Sequence, residues 1–322
     1  MKYKVLFLKE LDVSGKQILW DDGAELLITD GHSEECFINE LQVHQVDAIM
    51  CHNEAVTPAM MDASKNLKVI AKQGAGLDNI DVEYATHKGI QVVYAPLCNS
   101  NAVAEHAMML MLMAARRYKC VDSEFRAGNC DVRYALQDTY ELEGMTLGII
   151  GCGRIGQMIA NKAAFGFGMD VVGYAPNAKQ EEMKAPIRLL NHRDEVLERA
   201  DIITIHLPSL PSTRGSMDYS AFQMMKPKAL FINCGGKDVV VEADMAQALN
   251  EGLIWGAGID VLDSEAVEYG NPILEMDNVI ITPGTAAITR QAVVRSCSTA
   301  AQGIVEVING KPIAFPGNRI GK

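Results

Sequence analysis

Short apolar runs alternate with segments of helical spacing along most of the 322-residue chain. Runs rich in Val, Ile and Leu, bounded by turn residues and followed by amphipathic stretches, predict parallel strands covered by helices. A strand buried on both faces has no polar side, so it reads as a continuous apolar run. Residues 4–8, the ELLIT run, residues 47–51, and the LKVIAKQ and IQVVYAP runs predict the strands of a first unit. A helix that is apolar nearly all round is predicted over 101–118, with Met108, Met109, Met111 and Met113 as packing residues. A second unit opens at 146–156 and predicts six strands, from TLGII through DVVGY, ADIITI, ALFIN and GAGIDV to NVIIT. A last amphipathic helix is predicted over 289–309, stopped by Asn309-Gly310. The fold class expected is α/β, with two Rossmann-like, doubly wound parallel-sheet domains and a cleft between them.

Charge and cysteine content narrow the function classes. The net charge of −12 argues against wrapping a nucleic acid duplex or lying on a membrane surface, both of which need clustered Lys and Arg. The eight cysteines include no Cys-x-x-Cys pair and predict reduced, mostly buried thiols and no metal site. The most apolar run, 107–115, is shorter than the roughly 20 residues that span a bilayer. MKYKVLFLKE leads straight into a strand pattern with no signal peptide, so the expectation is a soluble, cytoplasmic protein.

The clearest chemical motif is Gly151-Cys152-Gly153-Arg154-Ile155-Gly156, which matches G-x-G-x-x-G between a predicted strand and a predicted helix running to about 165. In that setting Gly151 makes the tight turn, Gly153 lets the backbone approach a pyrophosphate, and Gly156 lets the helix pack on the strand. The helix N-terminus, with Arg154 and Ile155, adds free N–H groups and a positive dipole end. The second strand of the unit ends in Tyr174-Ala175-Pro176-Asn177, with Ala175 where an NAD site normally carries an acid for the ribose 2′-hydroxyl. NAD and NADP both remain open at this point.

Further motifs in order along almost the whole chain resemble the D-isomer-specific 2-hydroxyacid dehydrogenases, a family that includes D-3-phosphoglycerate dehydrogenase. Residues 72–81 resemble the family's glycine loop, in which Gly74, Ala75 and Gly76 would hold a substrate carboxylate, and residues 101–106 resemble the start of its inter-domain helix. His206-Leu207-Pro208 with Thr213 resembles the loop beside the adenosine; Cys234 and Gly235 belong to the cofactor-contacting set; and Asp260, ahead of Ser264-Glu265, resembles the Asp near the nicotinamide amide. The resemblance implies a discontinuous substrate domain, 1–100 plus 290–322, with the cofactor domain 101–289 inserted, and a homodimer formed through 116–143 of the cofactor domain.

Family chemistry uses a His as proton carrier, a Glu that orients it, and an Arg that binds the carboxylate. By the same resemblance the Arg position here is Gly236, in Asn233-Cys234-Gly235-Gly236-Lys237, and the His position is Gly284, in Thr282-Pro283-Gly284; Glu265 alone remains. Loss of the base alone costs about 10²–10⁴-fold, so conventional 2-hydroxyacid oxidation is expected to be weak or absent. His52, Lys72 and Lys237 are the candidate substitutes, and the two glycines are expected to enlarge the site. The leading expectation is an NAD(P)-binding oxidoreductase with altered chemistry on a small organic acid. The alternatives are a catalytically silent cofactor sensor or interaction protein, and a redox-neutral enzyme that keeps its nicotinamide bound.

Overall fold

The computed structural model describes residues 2–136, 138–262 and 270–320. The chain divides into two compact units, Met1–Asn99 with Ile288–Lys322, and Ser100–Ala287.

The first unit holds a five-stranded sheet: β1 Tyr3–Phe7, β2 Ala24–Ile28, β3 Ala48–Cys51, β4 Val69–Lys72 and β5 Gln91–Tyr94. All neighbours pair parallel, in the order β2-β1-β3-β4-β5. Both faces are covered. On one, Leu6, Ile49, Ile70 and Val92 pack against Phe37, Leu41, Met60 and Met61. On the other, Val5, Phe7, Met50 and Val93 meet Cys297, Ala301 and Ile304 of the helix Arg290–Ile308. That helix begins at Thr289, whose hydroxyl accepts the Ala292 N–H at 3.2 Å.

The second unit holds seven parallel strands: β6 Thr146–Ile150, β7 Asp170–Tyr174, β8 Arg188–Leu189, β9 Ile202–Ile205, β10 Leu230–Asn233, β11 Gly256–Ile259 and β12 Val279–Ile281. Their order is β12-β11-β10-β9-β6-β7-β8. Sequence pattern predicts six of these and misses β8, whose two residues, one exposed, are too short to show a periodicity. The predicted 101–118 helix is shorter than expected: it spans Ser100–Ala115, and a separate helix, Tyr118–Arg126, follows. Arg117 sits at φ +51°, a left-handed conformation that no α-helix continues through. The helix Ser100–Ala115 packs on β10 and β11 so closely that a Cβ on Gly258 would lie 2.8 Å from that of Leu110.

No described helix is long and apolar enough to cross a membrane. All eight cysteines are unpaired, and the described residues contain no cluster of three metal-ligating side chains.

The second unit's core centres on Phe231, fully buried on β10 and set edge-to-face with Phe222 at 5.2 Å. Phe231→Ala removes that pair and leaves a cavity between the sheet and the helices. It is expected to cost about 3–5 kcal/mol, measured as a loss of unfolding free energy in urea against the wild type.

Candidate functional site

In each unit a cluster of chemistry-bearing groups lies at the carboxyl ends of strands where the strand order reverses. In open parallel sheets that reversal leaves a crevice, because successive helices leave on opposite faces.

In the second unit the reversal lies between β6 and β9. Gly151 follows β6 at φ +101°, and its N–H donates to Tyr174 O at the end of β7 at 2.9 Å. A Cβ there would lie 2.6 Å from His206 O, at the end of β9, so no other residue fits. A Cβ on Gly156 would meet Gly151 O at 2.5 Å, whereas Gly153 faces open space. The helix Arg154–Phe167 starts at Gly153 with no side chain capping it, so the N–H groups of its first turn point outward unclaimed. This cradle fits a dinucleotide diphosphate, with backbone N–H groups as the donors. Cys152 is turned inward under the loop, where burial pushes its thiol up to about 12.

The neighbouring loops contain the other predicted residues. His206 shares a 2.8 Å hydrogen bond with Thr204 through Nε2, while its enclosed Nδ1 has no partner. Burial holds its pKa down to about 3, so the ring is neutral. Leu207 and Pro208 continue from it, and Thr213 staples this segment by donating to Pro208 O at 2.6 Å and accepting the Leu210 N–H at 2.9 Å. Thr213 is therefore tied into its own loop. Cys234 and Gly235 follow β10, with the Gly235 N–H held by Asn233 Oδ1 at 2.9 Å. Burial, then the nearby Asp260 carboxylate, raises the Cys234 thiol to about 12 and leaves it a poor nucleophile. Ala175, Pro176 and Asn177 form the turn after β7, the last two exposed.

The two glycines expected to enlarge the site are not alike. At Gly236, a Cβ would lie 2.5 Å from Ser209 Oγ and 2.6 Å from Ser209 N. The expected extra room is absent there, because the backbone after Pro208 closes directly onto the glycine. At Gly284, φ is +71° and a Cβ would meet only Asp260 O, at 3.9 Å. Space is open at that point, but the backbone favours glycine.

Asp260, after β11, holds the Gly284 turn. Its Oδ1 accepts the Thr282 hydroxyl at 2.6 Å and the Thr285 N–H at 2.8 Å, and its Oδ2 accepts the Ala286 N–H at 2.9 Å. Since Thr282 donates its one hydroxyl proton to Asp260, His106 must donate Nε2–H to Thr282 Oγ1 at 2.8 Å. Lys237 is exposed and opens the short 3₁₀ turn Lys237–Val239. Glu265 lies outside the described residues.

In the first unit the reversal lies between β1 and β3, and a charged network gathers there. Lys9, just beyond β1, pairs with Glu54 at 3.2 Å and lies 3.2 Å from Nδ1 of His52, just beyond β3. The His52 N–H donates to Glu54 Oε2 at 2.7 Å. Lys72, buried at the end of β4, donates to His52 O and, at 2.8 Å, to Asn79 Oδ1. Its ammonium is thus engaged in holding the His52 loop, and burial lowers its pKa. Beside it, Gly74 sits at φ +139°, and the N–H groups of the exposed Ala75 and Gly76 make no hydrogen bond to described residues.

An ammonium has only donors, so Lys9 makes Nδ1 of His52 the acceptor and puts the ring proton on Nε2. Burial, then the charges of Lys9 and Lys72, lowers the His52 pKa and keeps the ring neutral. Burial opposes the Glu54 carboxylate, but the N–H of His52 and the ammonium of Lys9 outweigh it and hold Glu54 below its usual range. His52 is consequently a neutral hydrogen-bond donor at Nε2. Sequence reasoning does not single out Lys9 or Glu54. Their shared position, just past adjacent strand ends at a reversal of strand order, is the signal that finds them.

A long-range nitrogen–proton NMR correlation at neutral pH is expected to show His52 uncharged, protonated on Nε2. Lys9→Met is expected to raise its titration midpoint. A charged His52 at pH 7, or a proton on Nδ1, would overturn this assignment.

Comparison with known proteins agrees with this architecture. Residues 108–286 match the D-isomer specific 2-hydroxyacid dehydrogenase, NAD binding domain. The chain is 36% identical over 309 residues to D-3-phosphoglycerate dehydrogenase of Methanocaldococcus jannaschii, a match covering 96% of this chain and 58% of that protein. The chain thus spans little more than half the length of that longer relative. It is 33% identical over 294 residues to hydroxypyruvate reductase of Thermotoga maritima, covering 90% of this chain and 94% of the other. Among solved structures, a Thermus thermophilus protein superposes with a TM-score of 0.82 at 28% identity, covering 98% of this chain and 100% of its own. The chain belongs to the D-isomer specific 2-hydroxyacid dehydrogenase family and binds NAD or NADP through its second unit.

Proposed function

We propose that this protein acts on a small organic acid by chemistry that departs from its family's Arg, Glu and His mechanism. The observation that carries this reading is the form of the two glycines at the Arg and His positions that the resemblance assigns. Gly236 has no room for a Cβ against Ser209, and Gly284 sits at φ +71°. Backbone tailored to glycine at both places supports an established arrangement over two isolated truncations.

A bound nicotinamide supplies or accepts a hydride, and the accompanying proton needs its own carrier. Gly284 carries none. Neutral His52, with Nδ1 occupied by Lys9, offers an oxygen of the acid a hydrogen bond from Nε2 but has no free lone pair for a proton. Lys72 positions the His52 loop through its carbonyl, and the free N–H groups of Ala75 and Gly76 suit a carboxylate. The first unit therefore holds and orients an acid better than it deprotonates one.

The hydroxypyruvate reductase relative, matched over nearly its whole length, makes short 2-oxo acids the first substrates to test. Reduction of hydroxypyruvate, glyoxylate and pyruvate with NADH and NADPH is expected to run at least about 100-fold below the 1–10³ s⁻¹ of ordinary enzymes. Turnover within that ordinary range would refute the reading. Saturable binding of cofactor and acid without net redox change would favour the silent sensor or the redox-neutral enzyme.

We further propose a homodimer through the second unit. Helix Tyr118–Arg126 buries no residue against its own chain, and Phe125 and Tyr134 are 63% and 70% exposed. Apolar groups left in water on this helix and on the separate short helix Val132–Ala135 favour a protein partner. Light scattering after size exclusion is expected to give twice the 35.1 kDa chain mass, and Phe125→Glu to give monomer. A wild-type monomer at micromolar concentration would dismiss the dimer.

A further inference from the structure

We propose that the dinucleotide site admits a 2′-phosphate and binds NADP at least as tightly as NAD, with Arg154 as the cation that meets the phosphate. The proposal rests on the second unit being a dinucleotide site, and it concerns the edge of that site where the adenosine ribose lies.

The placement follows from the backbone. The Tyr174 carbonyl accepts the Gly151 N–H at 2.9 Å, so the chain leaving β7 starts directly beside the glycine turn. An acid at the next position would accept hydrogen bonds from a ribose 2′-hydroxyl and repel a 2′-phosphate. Here that position is Ala175, whose methyl packs into the apolar cluster that also receives Cys152 and Ile155. The following turn is closed by Ala178 N–H donating to Ala175 O at 3.1 Å, and its exposed corner is Pro176 and Asn177. No carboxylate stands between Tyr174 and Gln180. The nearest acids after the turn are Glu181 and Glu182, on the 3₁₀ turn Gln180–Glu182. Glu182 faces Lys179 at 3.9 Å across solvent, a pairing too weak to withhold either partner.

Arg154 supplies the attraction. It is exposed at the first position of helix Arg154–Phe167 and makes no hydrogen bond or ion pair with any described residue. The bond from the Gly151 N–H to Tyr174 O, three residues before Arg154, holds the helix start beside the end of β7. A free guanidinium at a helix N-terminus, with no opposing carboxylate, favours a dianionic phosphate through charge-assisted hydrogen bonds. Removing the acid abolishes the discrimination against NADP; the free Arg reverses it.

The test is equilibrium titration calorimetry on the full chain with oxidised NAD and NADP, a readout independent of turnover. NADP is expected to bind with a Kd equal to or lower than that of NAD. Arg154→Ala is expected to shift the affinity ratio toward NAD by about tenfold. Ala175→Asp is expected to shift it the same way by about tenfold or more. Because Ala175 touches the core, the ratio is the measured quantity, and a general loss of affinity does not move it. Tighter binding of NAD than NADP by the wild type would overturn the proposal, as would an unchanged ratio in both variants. Failure of both dinucleotides to bind would instead remove the site itself.

Discussion

Three strand ends of the second unit converge on one α-carbon. The backbone after β6 turns at Gly151, reaches Tyr174 O through its N–H, and passes so close to His206 O that a Cβ would lie 2.6 Å away. Because this contact is backbone on backbone, no side-chain movement relieves it. It sets the height of the glycine turn, and with it the start of the helix Arg154–Phe167, whose own Gly156 lies against Gly151 O. The uncapped helix N-terminus, the turn after β7 and the His206 loop are all placed by that single close approach. The cradle that fits a dinucleotide diphosphate depends on it before any side chain is considered.

Glycine has different meanings at different positions of the same unit. At Gly236 the Ser209 backbone occupies the place of a side chain, so the β10 loop and the loop after β9 are fitted to each other. At Gly284 the space is open and the constraint is conformational, with the turn held by three hydrogen bonds to the Asp260 carboxylate and one from the Gly284 N–H to the Asp260 carbonyl. A missing side chain is one reading of a glycine in a sequence. Whether the chain has closed over the place a side chain would take is visible only in three dimensions.

In the first unit, electrostatics specifies a protonation pattern. Two ammonium groups and one carboxylate surround a half-buried imidazole, and the geometry of Lys9 selects its tautomer. The same set of residues with Lys9 a few ångströms away would leave His52 free to act as a base. The tautomer of His52 therefore follows from a 3.2 Å contact between residues 43 apart in the chain.

The sequence by itself determined the alternating architecture, the second unit's opening at the glycine fingerprint and the last helix, because apolar periodicity and turn residues are local properties. The glycine motifs were equally legible, since their spacing is the chemistry. Tertiary structure decided the rest. Strand β8 exists through pairing with β7, the long apolar helix stops at Ala115 because Arg117 turns left-handed, and Lys9 meets His52 because β1 and β3 are neighbours. The family resemblance marks Lys72 and Thr213 as site residues, and in three dimensions both also bond within local networks. Local pattern encodes which elements form. Which side chains keep a free donor or acceptor is set by contacts between distant segments, and no spacing along the chain carries that information.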